Sequence, residues 1–206
     1  MIFSIKEVES FSKSLIEQIK LLKDSLSEKS GNLYTIIEKP KNLIPKEQID
    51  DIYNSLPEDI KKLCFQYGPT SGYPPLIKSL QSYLQKKGLP VQDNKILITT
   101  GSLQAISIIT QEFINEGDIV LTENPCFVGA LSVFETFGAD IHSIPIDSEG
   151  IDIDALKRKI ASLDRTPKFL YVTPNYHNPA GIIYTPERKK ELLEILSGTG
   201  IILLED

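Results

Sequence analysis

Four stretches of the chain combine residue types that can do chemistry. Gly101-Ser102-Leu103-Gln104 joins a tightly turning glycine to the start of a helical pattern, where free backbone N–H groups favour an anion such as phosphate. The same residues also read as a small-residue turn with Ser102 as helix N-cap. No Lys-Ser/Thr pair follows the glycine and no spaced glycines accompany it, so neither the nucleotide P-loop nor the dinucleotide fingerprint is present. Asn124-Pro125-Cys126-Phe127 offers an aromatic that either stacks on a planar ring or serves as core. Cys126 has no base at an identifiable position beside it, which speaks against a nucleophile. In Pro174-Asn175-Tyr176-His177-Asn178-Pro179-Ala180-Gly181, the Asn178 amide lies among loop-forming residues and can be aimed at a ligand oxygen, although Asn-Pro also occurs in plain turns. His177 and His142 are the only histidines and have no partners at metal-ligand spacing, so His177 reads as a solvated or hydrogen-bonded loop residue. Glu205-Asp206 puts a carboxylate where it can pair with a cationic ring nitrogen, or is simply a charged pair at a chain end.

The elements that must carry these residues follow from periodicity. Short β-branched and aliphatic runs at Ile96–Thr100, Ile119–Glu123, Ile141–Ile146, Phe169–Thr173 and Ile201–Leu204 predict strands. Between them, Ser102–Asn115, Phe127–Phe137, Ile153–Leu163 and Pro186–Leu196 predict helices, the last with Thr185 as cap and Pro186 at the first helical position. This alternation predicts an α/β fold, a mostly parallel sheet with helices on both faces, and ligand-facing residues just beyond the strand ends. Upstream, apolar residues from Ile5 to Leu26 recur at spacings of three and four, predicting an amphipathic helix closed at Gly31-Asn32. Leu33 to Pro45 reads as extended and Ile49 to Cys64 as a weaker helix. Phe65 to Pro74 reads as a Gly- and Pro-rich loop, followed by a helix from Pro75 to Lys87 closed by Gly88. A composition shift near Asn94 divides an N-terminal helical segment, 1–94, from an α/β domain, 95–206.

The chain has 206 residues, 41% of them hydrophobic and 24% charged, enough to bury a real core. Its net charge of -6, with Arg158, Arg165 and Arg188 as the only arginines, argues against nucleic acid as a partner. Cys64 and Cys126 cannot build a disulfide framework and read as reduced thiols of a cytoplasmic protein. There is no apolar block resembling a signal peptide and no run of about 18 apolar residues, so no membrane association is expected.

Taken in order, the blocks Tyr67-Gly68-Pro69-Thr70-Ser71-Gly72, Thr100-Gly101-Ser102-Leu103-Gln104, Gly117-Asp118-Ile119-Val120, Glu123-Asn124-Pro125-Cys126-Phe127, Asn178-Pro179-Ala180-Gly181 and Leu204-Glu205-Asp206 resemble fold-type I pyridoxal-phosphate aminotransferases of class I/II. The resemblance runs from about Ser14 onward. It is nearest to the branch that includes 2-aminoadipate and kynurenine aminotransferases and MocR-like regulators. It implies the PLP-dependent transferase fold, here with an incomplete large domain. It also implies pyridoxal 5'-phosphate as cofactor, amino acid and 2-oxo acid substrates, and a homodimer. By resemblance, the turn of Gly101, Ser102 and Leu103 binds the cofactor phosphate through backbone amides, and Phe127 stacks on the ring. Asn178 then hydrogen-bonds the phenolic oxygen, and Asp206 pairs with the protonated ring nitrogen. Tyr67 matches a tyrosine that reaches the phosphate of the neighbouring subunit's cofactor.

The chain departs from the family pattern at several points. Phe127 stands where the family usually has tyrosine, keeping the stacking face and losing a hydroxyl. Glu38-Lys39-Pro40 stands where a Gly-x-Pro near the substrate is usual, adding bulk and negative charge beside an anionic substrate. Family members are much longer, and the part with no counterpart here carries the Schiff-base lysine, so no catalytic residue is assigned. A tyrosine three positions past the aspartate, a phosphate-binding arginine and the arginine for the substrate carboxylate are also without counterparts. The later strands of the family's sheet lie beside its first strand, so Ile96–Thr100 is expected to lack a hydrogen-bonding neighbour. A part of a longer protein, or the product of a shortened reading frame, is the expectation. The leading reading is half of an aminotransferase. The alternatives are a non-enzymatic or regulatory relative that binds cofactor or partner without turnover, and another fold-type I chemistry such as a β-lyase or decarboxylase. The first ninety or so residues show no winged-helix pattern, against the regulator, and Asn-Pro-x-Gly favours transamination. The residues that select a substrate lie mostly in the part without counterpart.

Overall fold

A computed structural model describes residues 46–92 and 94–206. The expected helix from Ile5 to Leu26, the extended stretch to Pro45 and Glu38-Lys39-Pro40 lie outside the described residues. The chain parts between Thr99 and Thr100 into two units.

The first unit holds α1 (Lys46–Ser55), α2 (Glu58–Leu63) and α3 (Pro74–Lys86), none of which has a buried residue. A single helix over Ile49–Cys64 was the expectation; it is instead split at Pro57, because proline has no N–H to donate and its ring clashes with the preceding turn. α3 starts at Pro74, where proline is tolerated. It ends as expected at Gly88 (φ +82°), with Gly88 N donating to Gln85 O and Leu89 N to Leu84 O, the paired bonds of a Schellman cap. The strand expected at Ile96–Thr100 is not formed among the described residues. Its backbone engages a loop instead, with Ile98 N donating to Ser71 O at 3.1 Å, and a strand exists only where a second strand completes its ladder. Gly72 (φ +112°) makes this approach possible, since a Cβ there would lie 2.3 Å from Ile98 Cγ1.

The second unit runs α4 (Ser102–Phe113), β1 (Ile119–Asn124), α5 (Val128–Thr136), β2 (Asp140–Asp147), β3 (Gly150–Ile151), α6 (Ile153–Ser162), β4 (Phe169–Val172), α7 (Pro186–Leu196) and β5 (Ile202–Glu205). The sheet order is β3-β2-β1-β4-β5, parallel throughout except for β3, which pairs antiparallel with β2. In register, Val120 faces Ile141 and Phe169, and Tyr171 faces Thr122 and Leu204.

Strand periodicity divides the core between two faces. Ile119, Leu121, Ile144, Leu170 and Val172 pack with Leu156 of α6 and with Leu192 and Leu196 of α7. Val120, Phe169 and Tyr171 pack with Ile106 of α4 and with Ala130 and Phe134 of α5. Phe134 meets Tyr171 edge to face, ring centres 5.7 Å apart. Helices therefore cover both faces, as the strand–helix alternation requires. Local caps hold α6 and α7 in place: Asp152 accepts from Ala155 N at 2.8 Å, and Thr185 accepts from Arg188 N at 3.1 Å.

Candidate functional site

The parallel strands β1, β4 and β5 are neighbours, so their carboxyl ends open on one edge of the sheet. Asp206 follows β5 directly. Its backbone N–H donates to Val172 O at 3.0 Å, and its Oδ2 accepts from the Tyr171 hydroxyl at 2.8 Å. Tyr171 is fully buried, and burial first, then the nearby Asp206 charge, pushes its phenol far up, so it stays a donor. Asp206 itself is half-buried, with one carboxylate oxygen held from below.

Beyond β1, Phe127 caps α5 and is half-buried. Its ring lies flush against Gly129, where a Cβ would come within 2.6 Å of the ring and 3.3 Å of Leu103 Cδ1. That glycine thus brings Phe127 and the start of α4 together. Gly101 caps α4 with φ +91° and ψ 167°, a region almost restricted to glycine. Gln104 folds back so that its Oε1 accepts from Thr100 N at 2.6 Å and from Thr100 Oγ1 at 2.9 Å, closing the turn around Gly101, Ser102 and Leu103. Ser102 makes no side-chain cap, so its expected alternative role as N-cap is not what the structure shows; Gly101 occupies that position.

Beyond β4, residues 173–185 form the loop that carries Asn178, with a cis Asn178–Pro179 bond and Asn178 half-buried. His177 is its hub. His177 N donates to Ile182 O at 2.9 Å, Gly181 N donates to His177 O at 2.6 Å, and Ala180 N donates to His177 Nδ1 at 3.2 Å. Because Nδ1 accepts, the ring proton sits on Nε2, which stands 3.1 Å from Glu123 Oε2, out of line for a hydrogen bond. His177 is 1% exposed, so the hydrogen-bonded alternative holds and the solvated one does not.

Glu123, near the end of β1, is also 1% exposed. Thr173 N donates to its Oε2 at 2.9 Å, and the Tyr184 hydroxyl donates to its Oε1. Burial pushes this carboxyl above its usual range, against the pull of the Tyr184 hydrogen bond and the nearby His177. The Cys126 thiol is pushed up to about 12, by burial and then by the Glu123 charge, and so remains a protonated thiol.

The structure therefore places Gly101, Ser102, Leu103, Phe127, Asn178 and Asp206 in one unit, the first four at the starts of α4 and α5, Asn178 in the loop after β4 and Asp206 directly after β5. Tyr67 belongs to the first unit and is fully exposed there. Gln104 and Glu123 belong to motif blocks quoted from the sequence but were given no role there, and Tyr171 and Tyr184 were not singled out. Arg188 is committed elsewhere, with Nη2 3.1 Å from both Asp147 Oδ2 and Glu149 Oε2. Among the described residues no group of three or more His, Cys, Asp or Glu is placed to hold a metal ion, and no helix is long and apolar enough to cross a membrane.

Comparison with known proteins adds to this geometry. Residues 38–206 match the family model described as aminotransferase class I and II. Aromatic-amino-acid aminotransferase 1 of Thermococcus litoralis is 34% identical over 166 residues, covering 79% of this chain and 40% of the relative. The kynurenine aminotransferase of Pyrococcus horikoshii, solved with PMP, superposes with a TM-score of 0.76 at 33% identity, covering 89% of this chain and 50% of that one. The α-aminoadipate aminotransferase of Thermus thermophilus, solved with N-(5'-phosphopyridoxyl)-L-leucine, gives 0.70 at 32% identity over 79% of this chain and 40% of that one. The chain thus spans less than half the length of the curated relatives it matches.

Proposed function

The chain belongs to the class I and II aminotransferases, and from that membership we propose that it supplies the pyridoxal 5'-phosphate-binding part of an amino acid to 2-oxo acid aminotransferase. The residues present fit such a group. The turn at Gly101 leads into α4, where Ser102 and Leu103 offer backbone N–H groups at a helix start to a phosphate. Phe127, seated against Gly129, offers a ring face for stacking. Asn178 offers its amide to a phenolic oxygen, and Asp206, held at Oδ2 by Tyr171, leaves Oδ1 for a protonated ring nitrogen. When bound, pyridoxal phosphate supplies a protonated ring that draws electrons from the substrate's α-carbon. Asp206 keeps the proton on that nitrogen by its negative charge, and buried Tyr171 fixes where the charge sits. Tyr67 is assigned to the phosphate of a neighbouring subunit's cofactor, which makes a homodimer the working assembly.

The observation that carries this reading is the Tyr171–Asp206 hydrogen bond, which aims an acid beside the Asn178 loop. Pyridoxamine phosphate, which needs no lysine, tests it by absorbance titration of the purified chain. Saturable binding is expected, weakened at least about tenfold in Asp206→Ala, since a hydrogen bond to a charged group contributes about 1.5–3 kcal/mol. Absence of binding, or equal affinity in Asp206→Ala, contradicts the reading.

A further inference from the structure

We infer that Glu123, sealed from solvent, is the positioning residue for Asn178: its buried carboxylate clamps the 173–185 loop at its beginning and end. The start is held by Thr173 N on Oε2 at 2.9 Å and the end by the Tyr184 hydroxyl on Oε1, while over the middle the buried His177 ring packs with Nε2 3.1 Å from Oε2 without a hydrogen bond. A second tie between the ends, Tyr184 N to Pro174 O at 2.9 Å, closes the loop on itself. Asn178 is the next residue after His177, so the arc that carries it is fixed from a strand it does not belong to. Tyr184 is itself seated by Gly150 (φ +134°), where a Cβ would lie 2.7 Å from the ring.

A carboxylate is suited to this role because its two oxygens accept from different donors at once. Sharing one acid between strand β1 and the loop makes loop order depend on two donors, Thr173 N and the Tyr184 hydroxyl, that are distant from it in sequence. A loop aimed by bonds already made does not lose freedom again when a ligand arrives. The clamp itself is a statement about the ligand-free chain. Its consequence for Asn178 rests on the cofactor reading above.

Two measurements decide it, on the wild-type chain and on Glu123→Ala, Glu123→Gln and Tyr184→Phe. In hydrogen exchange without ligand, Glu123→Ala is expected to speed the amides of His177, Ala180, Gly181 and Tyr184 by at least about tenfold. Tyr184→Phe, which keeps the ring, gives a several-fold rise in the same amides and decides the matter if Glu123→Ala does not fold. Glu123→Gln restores wild-type rates, because its amide oxygen still accepts from Thr173 N and its NH2 donates to the Tyr184 oxygen. In pyridoxamine phosphate binding, Asn178→Ala and Glu123→Ala each weaken affinity about tenfold, and the double variant is no weaker than Asn178→Ala alone. Tyr184→Phe substitutes for Glu123→Ala in this cycle if the latter does not fold. Unchanged loop exchange in the variants that fold, or penalties that multiply in the double variant, overturn the inference. Should the wild type take up no pyridoxamine phosphate, the functional reading falls, and loop exchange alone upholds or overturns the clamp.

Discussion

Two acids stand at the carboxyl ends of neighbouring parts of one sheet, and their surroundings differ sharply. Glu123, near the end of β1, is sealed and approached at both oxygens by Thr173, His177 and Tyr184. Asp206, after β5, is half-buried and held at one oxygen by Tyr171. Both sit at the carboxyl ends of strands, where ligands collect, so position alone does not separate them. Saturation does. An acid whose lone pairs are taken by the protein's own donors holds structure, whereas one braced on a single side can meet a ligand.

Stability should divide along that line. Glu123→Ala strands the buried Thr173 N–H and Tyr184 hydroxyl and is expected to cost about 3–5 kcal/mol in urea unfolding. Asp206→Ala is expected to cost about 1 kcal/mol, since only the Tyr171 hydroxyl loses its partner. Equal losses at the two sites would erase the distinction.

A smaller effect separates the two ends of β1 by pH. Glu123 is raised by burial, so the folded state holds its proton more tightly than the unfolded chain does. Stability from this group is therefore greatest below the ordinary value of 4.5 and falls as pH climbs through the raised value. Asp118, just before β1, is lowered first by the Asn115 backbone N–H, so its contribution has the opposite sign. It is present above 3.8 and is lost as pH falls through the lowered value. Urea midpoints measured across pH 3–7 should show the first slope vanish in Glu123→Gln and the second in Asp118→Asn. Slopes that persist in both variants would assign the pH dependence to other groups.

The same contrast explains what was legible in the sequence. Phe127, Asn178 and Asp206 could be placed just beyond strand ends because strand runs are local signals. Thr185 and Pro186 start α7 where cap chemistry puts them, again a local signal. Glu123 and Tyr171 take their roles from partners 61 and 35 positions away, in Tyr184 and Asp206, and no spacing rule links such pairs. Two-residue β3 is too short for any periodicity to show. Ile96–Thr100 has the composition of a strand, but composition cannot supply the neighbour that a ladder needs.

The central claim is that Asp206 keeps a pyridine nitrogen protonated. It is tested most directly by nuclear magnetic resonance of ring-15N pyridoxamine phosphate bound to the chain, at a pH where the free molecule's nitrogen carries no proton. The account predicts a pyridinium shift with a directly bonded proton in the wild type, reverting to the neutral shift in Asp206→Ala. A neutral ring nitrogen in the wild-type complex would contradict it.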